Sequence, residues 1–293
     1  MLSVILAFSG SLIYGASDFL GGIAARGMSA IRVTFLNALV GVTVLLLGSL
    51  LVPARWSSSA ILWGGLSGIA GSAALILLYA CLAIGPMSIL APIMGLVSAA
   101  LPVGIGFARG ERLDLAGIVG IILGLLAVVL VCLVPDRRAA RASSRGIVLA
   151  VGAGMAVGAY LVFIDLSPAD SGPAPLTASF IVSGLVSGFI LIAQRLIRRG
   201  PRAASYAGSQ NGGPSRGSPL IPAIAAGLTD AAAAILFLIA LRLGDLSVVS
   251  VLSALSPAGT VLLAAIVLHE RIARVQWVGL ASALMAAALL SLA

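Results

Sequence analysis

Ten stretches of roughly 20 apolar residues follow one another along this chain, and each is long enough to cross a ~30 Å hydrocarbon layer as a helix. Their approximate spans are 2–24, 30–52, 60–84, 87–108, 114–134, 146–165, 175–194, 219–241, 246–268 and 273–292. A backbone in lipid must satisfy its own hydrogen bonds, so these stretches have one common solution, the membrane-spanning helix. The expected fold class is therefore an all-α integral membrane protein with ten transmembrane helices. Composition agrees, since 61% of the residues are hydrophobic and 9% are charged. The first span is too long and too rich in glycine for a signal-peptide apolar core, so it counts as a helix. Cys81 and Cys132 fall inside the third and fifth spans, where a thiol acts as a small hydrophobe.

The net charge of +8 comes from 17 arginines against 9 acidic residues, with no lysine. The arginines crowd the short loops between apolar spans, which is how orientation in a bilayer is encoded, and this excludes nucleic acid as the natural partner. Thirteen lie in or beside the loops after odd-numbered spans; Arg55, Arg109, Arg112 and Arg242 are on the other side. The positive-inside rule makes the thirteen-arginine side cytoplasmic and puts both termini outside. A basic cytoplasmic connector, 135–145, divides a first unit, 1–134, from a second, 146–293, and the Gly-, Ser- and Pro-rich loop 198–218 reads as a flexible linker. The all-arginine basicity, with abundant Ala, Leu and Gly, suggests a GC-rich genome and a bacterial cytoplasmic membrane.

Residues 77–130 align without a gap onto 236–289. Gly85 falls on Gly244, Ser88 on Ser247, Leu96 on Leu255, Glu111 on Glu270 and Gly120 on Gly279. A weaker match sets Leu6, Ala7, Gly15 and Ala16 on Leu149, Ala150, Gly158 and Ala159. Each half then holds five spans, and because five is odd the halves enter the membrane in opposite directions. Two inverted five-helix repeats enclosing a site near the bilayer midplane are the architecture of secondary transporters.

The segment "YGASDF" (14–19), the paired helix ends "GERL" (110–113) and "HERI" (269–272), and Pro257 thirteen residues before Glu270 resemble the EamA-type family of the drug/metabolite transporter superfamily. Tyr14 stands where that family's first-helix pattern has tryptophan, and Ser98 stands in the first half where Pro257 stands in the second. The resemblance covers essentially the whole chain. It implies a ten-helix permease or exporter of small organic metabolites or drugs, with efflux the expected direction. It also implies both termini inside, opposite to the orientation the arginines favour.

Charges inside an apolar helix cost several kcal/mol on the lipid side, so they face a cavity or a partner. Asp18 shares a narrow small-residue face with Ser11, Gly15 and Gly22, with Tyr14 beside it. It reads either as a cation, proton or hydrogen-bonding site or as the partner of Arg32 in an ion pair between the first two helices. Asp230, midway along the eighth span, has no arginine at comparable depth in its own helix and is the strongest candidate for proton coupling or substrate contact. In the ninth span Ser250, Ser253, Pro257 and Thr260 fall within an arc of about 80° at 100° per residue. Pro257 releases the carbonyl of Ser253 from its helical donor, so the helix is expected to kink or open there. Against substrate contact stands ordinary packing of Ser and Thr between helices. Pro92, Gly95 and Pro102 suggest a comparable bend in the fourth span.

Glu111 and Glu270 sit at helix ends beside arginine and read as caps of the next helix or ion-pair members, with gating as the functional alternative. Tyr14, Tyr79 and Tyr160 are candidates to line a cavity. The pairs Gly64/Gly68, Gly120/Gly124, Gly154/Gly158 and Gly184/Gly188 have the spacing that lets helices approach closely. One histidine, His269, and the absence of HExxH, GxSxG and P-loop patterns argue against enzyme chemistry, a metal site, a cofactor or ATP-driven pumping. The expected function is alternating-access transport of a small molecule, with the lipid bilayer as surroundings and a homodimer compatible with the architecture. A receptor, a scaffold or an intramembrane enzyme is the alternative.

Overall fold

The computed structural model describes residues 1–82, 87–133, 143–197, 218–269 and 272–292. The helices are α1 (Leu2–Ala25), α2 (Ala30–Gly48), α3 (Ser58–Leu82), α4 (Met87–Ala108), α5 (Leu115–Cys132), α6 (Ser144–Asp165), α7 (Ala174–Ile197), α8 (Leu220–Leu243), α9 (Leu246–Ser253), α10 (Ser256–Val267) and α11 (Arg274–Leu292). Among the described residues they make ten spans long and apolar enough to cross a membrane, α9 and α10 together forming one. Glu270 and the side chains of Tyr79 and Cys81 lie outside the described part of the chain, as do 135–142 of the expected connector and 198–217 of the expected loop.

Helix ends follow local chemistry. Asp114 caps α5 by accepting from the Gly117 N–H at 2.8 Å, and Ser143 caps α6 by accepting from the Gly146 N–H at 3.1 Å. At the end of α4 the chain turns through Gly110 at φ 92, a conformation that costs glycine little, while the Glu111 N–H returns to the Gly106 carbonyl at 3.1 Å. The second span stops at Gly48, short of the expected 52, and continues as a turn.

Packing relies on small residues, because between lipid-embedded helices close van der Waals contact replaces the hydrophobic drive. At Gly15 a methyl group would collide with the Ser256 carbonyl and lie 2.7 Å from the Thr260 nitrogen, so α1 meets the backbone of α10 directly. Gly64 and Gly68 bring α3 equally close to Pro175 and Ser179 of α7. Large apolar side chains such as Ile122, Leu185, Phe189 and Leu284 point outward as the lipid-facing belt.

The main packing pairs are α1 with α8 and α10, α3 with α6 and α7, α2 with α7 and α8, α4 with α6 and α9, and α5 with α11. Exchanging the first five spans for the last five in order turns α1/α8 into α6/α3, α2/α8 into α7/α3 and α1/α10 into α6/α4. The same exchange returns α2/α7 and α5/α11 to themselves. The two halves are thus wound through each other, and helices adjacent in sequence, such as α1 and α2, touch little.

Candidate functional site

The ninth span breaks where its proline dictates. Pro257 sits in the first turn of α10 and supplies no N–H to the carbonyl of Ser253, so α9 ends at Ser253 and the chain passes through Ala254 and Leu255 before α10 begins. α4, by contrast, runs as one helix through Pro92 and Pro102, so its prolines do not divide it as Pro257 divides the ninth span.

The break faces a cavity of about 210 Å³ enclosed by α1, α2, α3, α4, α6, α7 and α8. Asp18 of α1 and Asp230 of α8 both line it, as do Tyr14, Tyr160, Asn37 and Ser253. The two carboxyl groups thus share one cavity with the Tyr160 hydroxyl. The Asn37 Oδ1 is buried with no donor among the described residues. Tyr14 meets Phe237 edge to face, ring centroids 6.2 Å apart.

Of the residues singled out from the sequence, Tyr14, Asp18, Asp230, Ser253 and Pro257 come together on this cavity. Ser250 and Thr260 do not. Ser250 is fully buried and donates to the Ser247 carbonyl at 3.0 Å, and Thr260 donates to the Gly15 carbonyl at 3.0 Å, which ties α10 to α1. Arg32 is exposed, and of the two readings of Asp18 the ion pair with Arg32 is not formed: the ion pairs among the described residues are Arg55–Asp170 and Arg109–Asp165. The reason is topological, because Asp18 turns toward the cavity beside α8 rather than toward α2's first turn. Asn37 was missed, although an amide within an apolar span must find a polar surrounding and could have been flagged on that ground.

Glu111 caps a helix, but not the expected next one. Its carboxylate accepts from the N–H of Leu246 at 2.9 Å and of Ser247 at 3.1 Å, and from the Ser247 hydroxyl at 2.5 Å, so it seals the first turn of α9 in the other half. Asp114 already caps α5. Gly106 makes this reach feasible, since a methyl group there would collide with the Glu111 carboxylate and the Ser247 hydroxyl. Asp245, the residue before α9, has its carboxyl pushed up by partial burial and by Glu111.

The same end of the bundle carries further clasps. Arg109 pairs with Asp165 at 2.5 Å, linking the ends of α4 and α6. Arg242 of α8 donates to the Ser167 carbonyl at 2.7 Å, to the Ser167 hydroxyl at 2.6 Å and to the Pro168 carbonyl at 3.1 Å. Meanwhile the cavity lining extends through Thr34, Leu78 and Ala91, each about one turn from the opposite ends of α2, α3 and α4. The lining also includes Tyr160 and Ser179, five residues from the ends of α6 and α7 on the side of the chain termini, so the cavity runs through the middle of the bundle beneath these clasps.

Comparison with protein families matches residues 144–292, half of the chain, to the EamA-like transporter family. The chain belongs to that family. EamA-like transporters fall in the drug/metabolite transporter superfamily, and the matched region carries Asp230, the α9–α10 break and Arg242. No curated protein matches the chain. A solved structure described only as a crystal structure of a protein overlays with a TM-score of 0.77 at 18% identity, covering 99% of this chain and 98% of its own, which shows a shared fold. This EamA-like chain is accordingly a multi-pass membrane protein of a transporter family, with its cavity among the helices.

Proposed function

We propose that this protein is a secondary transporter of small organic molecules that works by alternating access, with the cavity at the α9–α10 break as its central site. The observation that carries the reading is the pair of carboxylates, Asp18 and Asp230, held within the span of the membrane on a cavity with no arginine among its lining residues. Uncompensated charge at such depth is costly, and a cation or a proton that arrives from solution relieves both the desolvation and the mutual repulsion. The break at Pro257 deprives the Ser253 carbonyl of its helical donor, as at the breaks of transporters built from discontinuous helices.

The interchange of packing pairs between halves supports two antiparallel five-helix repeats that rock about the cavity. Glu111, Arg109 and Arg242 clasp the helix ends on the side of the chain termini, where a gate would lie. The arginine distribution makes the other end cytoplasmic, and release past these clasps corresponds to efflux from a bacterial cytoplasm. Asp18 and Asp230 are the coupling residues, with Tyr14 and Tyr160 the other titratable groups facing the cavity.

Purified protein in liposomes tests the reading. Counterflow of a labelled small molecule is expected, and its pH profile flattens in Asp18→Asn and Asp230→Asn. Currents at channel rates would refute the carrier, and an unchanged profile in both variants would remove the coupling role.

A further inference from the structure

We infer that the ligand of this cavity is a small organic ammonium ion: a cationic N–H group on a compact aromatic or apolar body. The inference rests on the carrier reading above for its transport, but its binding stands on the cavity alone.

The polar groups around the cavity include the hydroxyls of Tyr14 and Tyr160, but its charged groups are two acids and no base. Asp18 and Asp230 supply four carboxylate oxygens, and among the described lining residues no basic side chain faces them. Asn37 lines the same cavity with its Oδ1 buried and without a donor among the described residues, an arrangement that costs free energy until an N–H arrives. Two hydroxyl protons are committed elsewhere: Ser98 donates to the Gly95 carbonyl at 2.8 Å and Ser253 to the Ser250 carbonyl at 2.8 Å, so these oxygens offer lone pairs. Pro257 adds the Ser253 carbonyl to the same set. Two acids with no basic side chain among the described lining residues favour a ligand that brings donors and a positive charge.

The apolar part of the lining limits the rest of the ligand. Rings of Tyr14, Tyr160, Phe180 and Phe237 give π faces that attract ammonium groups. The cavity volume of about 210 Å³ gives room for a compact body such as one ring or a short chain. A zwitterionic amino acid fits poorly, because its carboxylate would meet acidic neighbours. The first turn of α10, the nearest helix N-terminus, has lost an N–H to Pro257. A neutral polyol would leave both carboxylates without a counter-charge.

Three compounds with the same ring and chain separate these classes: phenethylamine, phenylalanine and phenethyl alcohol. Isothermal titration of the purified full-length protein is expected to detect phenethylamine, with the other two about tenfold weaker or more. Asp18→Asn, Asp230→Asn and Asn37→Leu are expected to weaken phenethylamine by about ten- to a hundredfold in variants whose thermal unfolding shows a folded protein. Should the variants fail to fold, the three-way comparison on the unaltered protein still decides. Equal or tighter binding of phenylalanine or of the alcohol, or no binding of the amine, overturns the proposal. Amine binding without amine counterflow in liposomes supports the ligand class and refutes carriage, whereas counterflow of phenylalanine without phenethylamine supports carriage and overturns the ligand class.

Discussion

Glu111→Gln tests whether the closed end of the bundle is a gate. The carboxylate closes the first turn of α9 with three accepted hydrogen bonds, two from backbone N–H groups and one from the Ser247 hydroxyl. Glutamine keeps one acceptor oxygen and replaces the other with an NH₂ group, so one N–H loses its partner at a cost of about 1–3 kcal/mol. Removing a negative charge from a helix N-terminus costs about 0.3–1 kcal/mol more. The sum, about 2 kcal/mol, is a factor of about 30 in a two-state equilibrium. If alternating access parts α4 from α9, the open state lacks this contact and the substitution favours it by that factor. The assay is cysteine accessibility: Ser250→Cys, in a background lacking Cys81 and Cys132, probes a position that is fully buried in the closed form. A membrane-impermeant thiol reagent applied from the side of the chain termini should label the Glu111→Gln protein up to about 30-fold faster. Equal labelling rates together with a lowered melting temperature would show that the cap survives in every conformation, and the gate would be refuted.

Arg242→Lys should lower stability by about 1–2 kcal/mol in thermal unfolding, because one ammonium cannot reproduce the fork that reaches Ser167 and Pro168 together; an unchanged midpoint would show the clasp to be idle. Asp245 has its carboxyl raised above the ordinary value of about 4, first by partial burial and then by Glu111. The native state then binds more protons than the unfolded chain between those values, so stability falls as pH rises through that window and stays lower above it. Asp245→Asn should therefore raise the melting temperature near pH 7 and lose that advantage below about pH 4, and a less stable variant at neutral pH would contradict the sign. Thr260→Val should cost about 1 kcal/mol through the lost bond to the Gly15 carbonyl while leaving the KM for transport unchanged, and Ser253→Ala should move the KM; the reverse pattern would transfer the substrate surface from the break to the α1–α10 seam.

Much of this arrangement was legible before any coordinate. A membrane span is a length condition on an apolar run, so all ten could be placed to within a few residues. The interruption of the ninth span was legible for a similarly local reason, since a proline removes one donor at a fixed offset. Asp18 and Asp230 could be assigned to the interior because lipid punishes the alternative. Partners are another matter. Arg32 is close to Asp18 in sequence, and a hairpin of adjacent helices would have joined them, yet α1 lies against α8 and α10 instead. Glu111 was read as capping its own neighbour, and it caps α9 across the molecule because the halves interlace and Gly106 leaves room. Thr260 and Ser253 share a helical face, but the break at Ala254 and Leu255 separates them, so a straight-helix projection placed both on a surface that only one reaches.

The placement of charge follows from what each end must do. Arg109 and Asp165 keep 38% and 18% of their side-chain surface exposed, so water can replace the pair when it parts, and exposed pairs of this kind contribute about 1 kcal/mol or less. Contacts of that size can be made and broken in every cycle. The carboxylates at the cavity are in the opposite situation, since no described arginine relieves them and only something from solution can. A strong internal partner for Asp18, such as the Arg32 pairing the sequence allowed, would have filled the role of the ligand permanently and left the rocking of the two halves with nothing to respond to. Introducing one is thus a sharper test than removing the acid: Thr34→Arg, on the α2 face that lines the cavity, should stabilise the folded protein or leave it unchanged and yet abolish ammonium binding. Retained binding with that arginine in place would mean that the two acids are not where the ligand sits.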